Sequence, residues 1–60
     1  MLLYPYRISC IDSQGRQRFY YTEAVDDDHA FRCFWNDREQ QPARYGDWNT
    51  PNNEAILVET

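Results

Sequence analysis

The sequence predicts a small α+β domain of ββαβ order, in which one helix packs on one face of a three-stranded antiparallel sheet. Three observations predict this fold. Two segments come first in which side chains of different character alternate residue by residue, as in a strand. A segment with apolar residues at helical spacing follows, and a short apolar segment comes last. Sixty residues accommodate one domain, so we expect residues 1–60 to form a single small acidic unit.

The first predicted strand covers residues 6–11, where apolar and polar side chains alternate. One face carries Tyr6, Ile8 and Cys10, and the other carries Arg7 and Ser9. Pro5 has no N–H group to donate, so we expect it at the beginning of the strand or on an edge. Residues 12–15 predict a turn, because an aspartate comes first and a glycine last.

The second predicted strand covers residues 17–24 and carries aromatic side chains on both faces. One face holds Phe19, Tyr21 and Glu23, and the other holds Arg18, Tyr20 and Thr22. A single helix covers only one face of a sheet, so the second face contacts solvent or a partner.

The predicted helix begins after Asp26, a favourable N-cap, and ends at or before Gln41, because Pro42 follows. Asp27 and Asp28 then occupy the first turn, where the positive end of the helix dipole favours negative side chains. The apolar side chains of this segment form one stripe that is expected to face the sheet. These are Ala30, Phe31, Phe34 and Trp35.

Residues 42–53 predict a turn-rich connection that carries Tyr45 and Trp48, and residues 55–58 predict a short third strand. A right-handed crossover through the helix places the third strand parallel to the second. If the first strand lies between them, every neighbouring pair is antiparallel, which gives the sheet order 2-1-3.

The chain is acidic, with a formal net charge of −4, and its basic residues are arginines without any lysine. Residues 1–20 carry a net +2 and residues 21–60 a net −6. No apolar segment approaches the roughly 18 residues that a membrane span requires, and the first residues lack the pattern of a cleaved secretion signal. We therefore expect a soluble cytoplasmic domain with no membrane partner, in which Cys10 and Cys33 stay reduced.

No catalytic or metal-binding pattern is recognisable in the sequence. It lacks a glycine-rich phosphate loop and a nucleophile motif, and a domain of this size offers little concavity for paired carboxylates. Cys10, His29 and Cys33 are the candidate metal ligands, but structural zinc sites usually take four ligands in close pairs. We expect no enzymatic activity, no metal and no cofactor.

Binding is the remaining class of function, and the first hairpin is one candidate site for it. Arg16 and Arg18 are interleaved with the aromatic residues 19–21, as in surfaces that stack single-stranded nucleic acid. The net charge of −4 opposes phosphate binding, so a small single-stranded nucleic-acid-binding module is the alternative prediction. In the simpler interpretation, these arginines shield an edge strand.

A protein-binding surface is the preferred prediction. Glu23 and the aspartates 26–28 gather negative charge as a nucleic-acid backbone does, although the aspartates could act only as helix caps. One helix cannot cover all of the remaining aromatic residues, which are Tyr4, Tyr6, Tyr20, Tyr45 and Trp48. Tyrosine and tryptophan are frequent in binding hot spots, but residues 42–53 could instead fold back on the sheet as a second small cluster.

The small size, acidity, ββαβ order and charged helix start at residues 23–28 together resemble the small counter-defence proteins of bacteriophages, anti-CRISPR proteins among them. Those proteins share no common motif, so the resemblance covers build and charge. It implies a phage-encoded, stoichiometric inhibitor in the cytoplasm of the bacterial host. Such an inhibitor would bind a basic nucleic-acid-handling protein, such as a subunit of a CRISPR effector complex, and block DNA binding by mimicking the charge of DNA.

The resemblance also implies which residues would contact that partner. The carboxylates of Glu23, Asp26, Asp27 and Asp28 would meet the basic groove, and Tyr45 and Trp48 would anchor the edge of the contact. A second copy of the chain is a further candidate partner.

Overall fold

The computed structural model describes residues 2–58 and confirms the predicted ββαβ architecture. The strands are β1 (Tyr4–Ile11), β2 (Gln17–Ala24) and β3 (Ala55–Leu57), and the helices are α1 (Asp27–Gln40) and the short α2 (Pro42–Tyr45). The sheet order is β2-β1-β3, and both neighbouring pairs are antiparallel. The order 2-1-3 inferred from strand count and crossover handedness is therefore confirmed.

Residues 12–16 join β1 to β2, and the tight turn that they form sets the register of the two strands. The Asp12 N–H donates to the Arg16 carbonyl, and the Gly15 N–H donates to the Asp12 carbonyl, each at 3.0 Å. Gly15 has φ of 77°, a left-handed conformation that glycine adopts without the steric cost of a Cβ atom. This closure pairs Ile8 with Tyr20 in the middle of the hairpin.

The core lies between α1 and the face of the sheet that carries the even-numbered residues of β1 and β2. Its buried members are Ile8, Cys10, Tyr20, Ala24, Ala30 and Phe34. The Tyr20 ring meets Phe34 edge-to-face, with 5.3 Å between ring centroids. Such aromatic pairs contribute about 0.5–1.5 kcal/mol beyond the area that they bury, so this contact joins α1 firmly to β2.

One expectation about aromatic burial is wrong, and one open point is settled. Trp35, predicted in the core-facing stripe, is 45% exposed, because Ala30 and Phe34 define the line of contact with the sheet and Trp35 lies about 100° further round the helix. Tyr20, one of the five aromatics that a single helix could not all cover, is only 4% exposed. Its position on the helix-facing side of β2 and its contact with Phe34 explain the burial.

The ends of the strands also differ from the predicted bounds. β1 begins at Tyr4 rather than Tyr6, so Pro5 is the second residue of the central strand. The Pro5 carbonyl accepts a hydrogen bond from the Val58 N–H (2.9 Å), but proline has no N–H to return. β3 accordingly ends at Leu57, one residue before the predicted end of the strand.

Residues 42–53 fold back against the sheet. This is the arrangement that the second interpretation of the segment, a small cluster folded on the sheet, predicted. The Ile11 N–H donates to the Asn49 carbonyl at 2.8 Å, and the Asn49 N–H donates to the Ile11 carbonyl at 2.9 Å. The Arg38 Nε donates to the Trp48 carbonyl at 2.9 Å, which ties the segment to α1 as well. In residues 2–58, no helix has the length and apolar character needed to cross a membrane.

Candidate functional site

Four exposed carboxylates lie where β2 ends and α1 begins, and we call this set the acidic surface: Glu23, Asp26, Asp27 and Asp28. Glu23 lies near the end of β2, on the face away from α1. Asp26 directly precedes α1, and Asp27 and Asp28 are its first two residues. The sequence contains no arginine or lysine between residues 19 and 31, so no cationic side chain interrupts this stretch.

Asp26 is the N-cap of α1, as the sequence predicted. Its backbone is extended, with φ of −157°, and its Oδ1 accepts a hydrogen bond from the His29 N–H at 2.8 Å. The Asp27 Oδ1 accepts from the Asp28 N–H at 3.0 Å. A carboxylate offers about four acceptor positions, so capping leaves most of the acceptor capacity of these side chains facing outward.

The acidic surface is not neutralised by internal arginines. The ion pairs within residues 2–58 are Arg16–Asp12 and Arg18–Asp12, and neither involves the acidic surface. Arg32 lines a shallow concavity together with Asp26 and Asp28, but no N–O distance of 4 Å or less joins them. The negative charge is therefore available to an external cation.

Most of the arginines are engaged with aromatic rings or with Asp12. The guanidinium carbons of Arg7, Arg38 and Arg44 lie 5.0, 5.3 and 5.2 Å from the ring centroids of Phe19, Trp35 and Tyr45. Cation–π contacts of this kind keep the positive charge beside the protein's own rings.

Asp12 is a charged residue whose importance the sequence reasoning missed, since it assigned this residue only to the turn. Its side chain is 1% exposed and accepts hydrogen bonds from the Gln14 and Arg16 backbone N–H groups and from the Nε atoms of Arg16 and Arg18, at 2.9–3.1 Å. Burial by itself raises the pKa of this carboxyl, but the hydrogen bonds outweigh burial and hold the pKa at about 2. The sequence pattern that could have indicated this ion-paired carboxylate is the Asp-x-x-Gly turn followed by two arginines at alternate positions.

The structure does not bring Tyr45 and Trp48 to the acidic surface. Both are half-buried and pack against the core, with their ring centroids 4.8 Å apart. They follow the C-terminal end of α1 and Tyr45 packs on Tyr20 of β2, whereas Asp26–Asp28 lie at the N-terminal end of α1. The six predicted partner-binding residues therefore belong to two separate places.

Two of the three candidate metal ligands have structural roles, His29 at the entry into α1 and Cys10 in the core. The His29 Nδ1 accepts a hydrogen bond from the Val25 N–H at 3.1 Å, which reinforces the entry into α1. Burial raises the pKa of the Cys10 thiol to about 11, so this cysteine stays protonated at neutral pH. Across residues 2–58, no three histidine, cysteine or acidic side chains are grouped closely enough to hold a metal ion.

The sheet face opposite α1 is the exposed one. It carries the exposed apolar side chains of Ile11, Phe19, Tyr21 and Ile56, and Arg7 lies between Tyr21 and Ile56 in the register. The Arg7 Nε is buried and has no hydrogen-bond partner in the described part of the chain. The sequence indicated that both faces of β2 carry aromatics but not which of them α1 would cover.

No protein-family model matches the chain, and comparisons with curated proteins and with solved structures find no match.

Proposed function

We propose that this protein is a stoichiometric inhibitor that binds the basic nucleic-acid-binding groove of another protein through the acidic surface. One observation carries the proposal. Four exposed carboxylates lie within residues 23–28, and none of them forms an ion pair with an arginine in residues 2–58. This is the condition under which an anionic surface competes with the phosphates of a nucleic acid.

The physical basis is electrostatic attraction between this surface and a cationic groove. Complementary potentials raise association rates by roughly 10- to 1,000-fold and lose this advantage as salt screens the charges. Helix capping by Asp26 supports the same function, because it fixes the first turn of α1 and thereby the positions of Asp27 and Asp28. A carboxylate on a rigid helix start loses little entropy on binding.

A CRISPR effector complex is the target that we propose, on the strength of the resemblance in build and charge to phage counter-defence proteins. Such a complex holds nucleic acid in a positively charged channel that recognises the backbone. An acidic domain of this size that occupies the channel would prevent duplex DNA from entering. The corresponding setting is the cytoplasm of a phage-infected bacterium.

Single-stranded nucleic-acid binding by the hairpin is the weaker candidate. Arg16 and Arg18 are both held by the buried Asp12 carboxylate, and Tyr20 is part of the core. Of the interleaved arginines and aromatics, Phe19 and Tyr21 remain on the exposed face. Phosphate binding by this hairpin would have to displace two existing ion pairs.

The test measures the binding of a fluorescent target duplex to a purified CRISPR effector complex while the protein is titrated in. We expect DNA binding to fall to zero near one protein per complex, and the inhibition to weaken as salt rises. The triple variant Asp26→Asn, Asp27→Asn, Asp28→Asn should lose inhibition. Asparagine is also a good N-cap, so this variant keeps the cap of α1 and removes the charge.

A second triple variant provides the matched control. Glu39→Gln, Asp47→Asn and Glu54→Gln remove three exposed negative charges elsewhere on the molecule and should leave inhibition unchanged. Equal loss in both triple variants would show that net charge alone matters and would refute the acidic surface as the site. Failure of the unmodified protein to displace DNA would refute the proposed target.

A further inference from the structure

β2 presents an eight-residue strand edge that no other strand in residues 2–58 covers. In the sheet order β2-β1-β3, β2 pairs with β1 alone. The hairpin closes on the hydrogen bond from the Asp12 N–H to the Arg16 carbonyl, and hydrogen-bonded pairs alternate along an antiparallel ladder. The backbone groups of the even-numbered residues of β2 therefore face β1, whereas the N–H and C=O groups of Phe19 and Tyr21 point to the free edge.

A groove of about 520 Å³ runs along this edge, between β2 and the segment that contains α2. It is lined by Arg18, Phe19, Tyr20 and Tyr21 on the strand and by Arg44, Tyr45 and Trp48 across from it. Four consecutive strand residues line the groove, as expected if it follows the backbone of the edge rather than one face of the sheet. Its floor is aromatic, because Tyr20, Tyr45 and Trp48 pack edge-to-face in series.

The groove is cationic although the protein as a whole is acidic. Two arginines line it and no carboxylate does. Arg44 is exposed and stacks on the Tyr45 ring, and it forms no ion pair in the described part of the chain. Arg18 shares the single Asp12 carboxylate with Arg16, so one positive charge at that end of the groove is not balanced.

We propose that this groove binds an extended acidic segment of another protein, which adds to β2 as a fourth strand of the sheet. The free N–H and C=O groups of Phe19 and Tyr21 supply the backbone hydrogen bonds, as in other cases of strand addition. Arg44, which forms no ion pair in residues 2–58, selects a carboxylate side chain, and the Tyr45 and Trp48 rings accept an apolar one. A second copy of the chain is disfavoured as the occupant, because its β2 carries one arginine and one carboxylate, Glu23, and so lacks the alternating acidic side chains that the groove selects.

The test uses a fluorescein-labelled hexapeptide of alternating valine and glutamate and follows its anisotropy as the full chain is added. We expect saturable binding, with slowed hydrogen exchange at the Phe19 and Tyr21 amides. Arg44→Gln should weaken binding about two- to fivefold, the effect of one partly exposed ion pair. Tyr21→Pro removes an outward N–H at an edge position that tolerates proline and should abolish binding.

Matched controls separate strand addition from simple charge attraction. Tyr21→Ala keeps the backbone N–H and should bind more tightly than Tyr21→Pro. The same peptide with N-methyl groups on alternate residues cannot complete the ladder and should not bind, which tests the proposal even if the proline variant fails to fold. The triple asparagine variant at residues 26–28 should bind the peptide normally, since the groove does not include the acidic surface.

Four outcomes would overturn the proposal. One is the absence of peptide binding, and another is equal binding of the N-methylated peptide. A third is tighter binding of an oligodeoxythymidine, which would assign the groove to nucleic acid. The fourth is self-association in sedimentation that Tyr21→Pro removes, which would assign the edge to a second copy of the chain.

Discussion

The hydroxyl of Tyr20 donates a hydrogen bond to the Asp37 carboxylate at 2.5 Å, which joins the middle of β2 to the third turn of α1. Burial and this hydrogen bond both raise the pKa of Tyr20 above its ordinary range, because each favours the protonated hydroxyl. The same ring packs edge-to-face on Phe34 and on Tyr45. One side chain thus holds together the sheet, α1 and the segment that forms the far wall of the edge groove.

Tyr20→Phe should lower the free energy of unfolding by about 1–2 kcal/mol. The phenylalanine ring preserves the packing against Phe34, so the loss reports the hydrogen bond to a charged acceptor. Urea denaturation followed by circular dichroism measures the change. Tyr21→Phe is the control, because Tyr21 is 63% exposed and its hydroxyl should contribute less than about 0.5 kcal/mol. Equal effects of the two substitutions would contradict the role of the Tyr20–Asp37 bond.

Asp12 should make the domain sensitive to acid. Its pKa in the folded state is about 2, below the ordinary value of 3.8, so the folded state binds a proton less readily than the unfolded chain does. The stability that this group contributes is therefore present above about pH 4 and is lost as the pH falls toward 2. Thermal melts at several pH values should show this decline in the unmodified protein.

Asp12→Asn removes the titrating group and should give a flatter melting profile between pH 4 and pH 2. It should also be less stable at neutral pH, because an amide does not neutralise the Arg16 and Arg18 guanidinium groups. Asp47→Asn, at an exposed residue that accepts a hydrogen bond from the Ser13 hydroxyl, is a suitable control. A profile for Asp12→Asn parallel to that of the unmodified protein would show that other carboxylates cause the acid sensitivity.

Substitutions at Asp26 should separate capping from binding. Asp26→Ala removes the acceptor for the His29 N–H and should cost about 1 kcal/mol of unfolding free energy, whereas Asp26→Asn should cost only a few tenths. Chemical denaturation measures both. If the asparagine variant is as unstable as the alanine variant, the charge of Asp26 rather than its hydrogen bond stabilises α1.

Gly46 should not tolerate a side chain. A Cβ atom added there would lie 2.4 Å from the Pro42 carbonyl oxygen, so α2 would have to shift. We expect Gly46→Ala to cost about 1–3 kcal/mol, as overpacking does, and to alter peptide binding in the edge groove. Gly15→Ala is an informative comparison, because there the Cβ meets open space and the cost of about 1–2 kcal/mol comes from the φ of 77° alone. Denaturation midpoints of the two variants provide the measurement.

Local patterns in the sequence were sufficient to predict the architecture. Alternation fixed which side chains of β1 and β2 share a face, and Asp26 and Pro42 marked the two ends of α1. The order β2-β1-β3 followed from crossover handedness and the antiparallel pairing of neighbours. The element bounds depend on residues close together in the chain and the strand order on a general rule of crossover handedness, which is why a single sequence predicts them.

Features that depend on distant residues were not predictable in the same way. The exposure of Trp35 depends on how α1 is rotated over the sheet, and a broad apolar stripe allows more than one rotation. The positions of Tyr45 and Trp48 depend on the Arg38–Trp48 hydrogen bond and the pairing of Ile11 with Asn49. The edge groove arises from this return of the chain, so no local pattern indicated it.

The hairpin turn has a consequence for how the molecule approaches a charged neighbour. The ion pairs at Asp12 lie at one end of β2 and the carboxylates of the acidic surface lie at or just past the other end, about 23 Å away for seven residue steps along a strand. The ion-paired carboxylate and the acidic surface therefore lie at opposite ends of one strand. A basic partner of the kind we propose would attract the acidic surface first, so most encounters would begin at the start of α1.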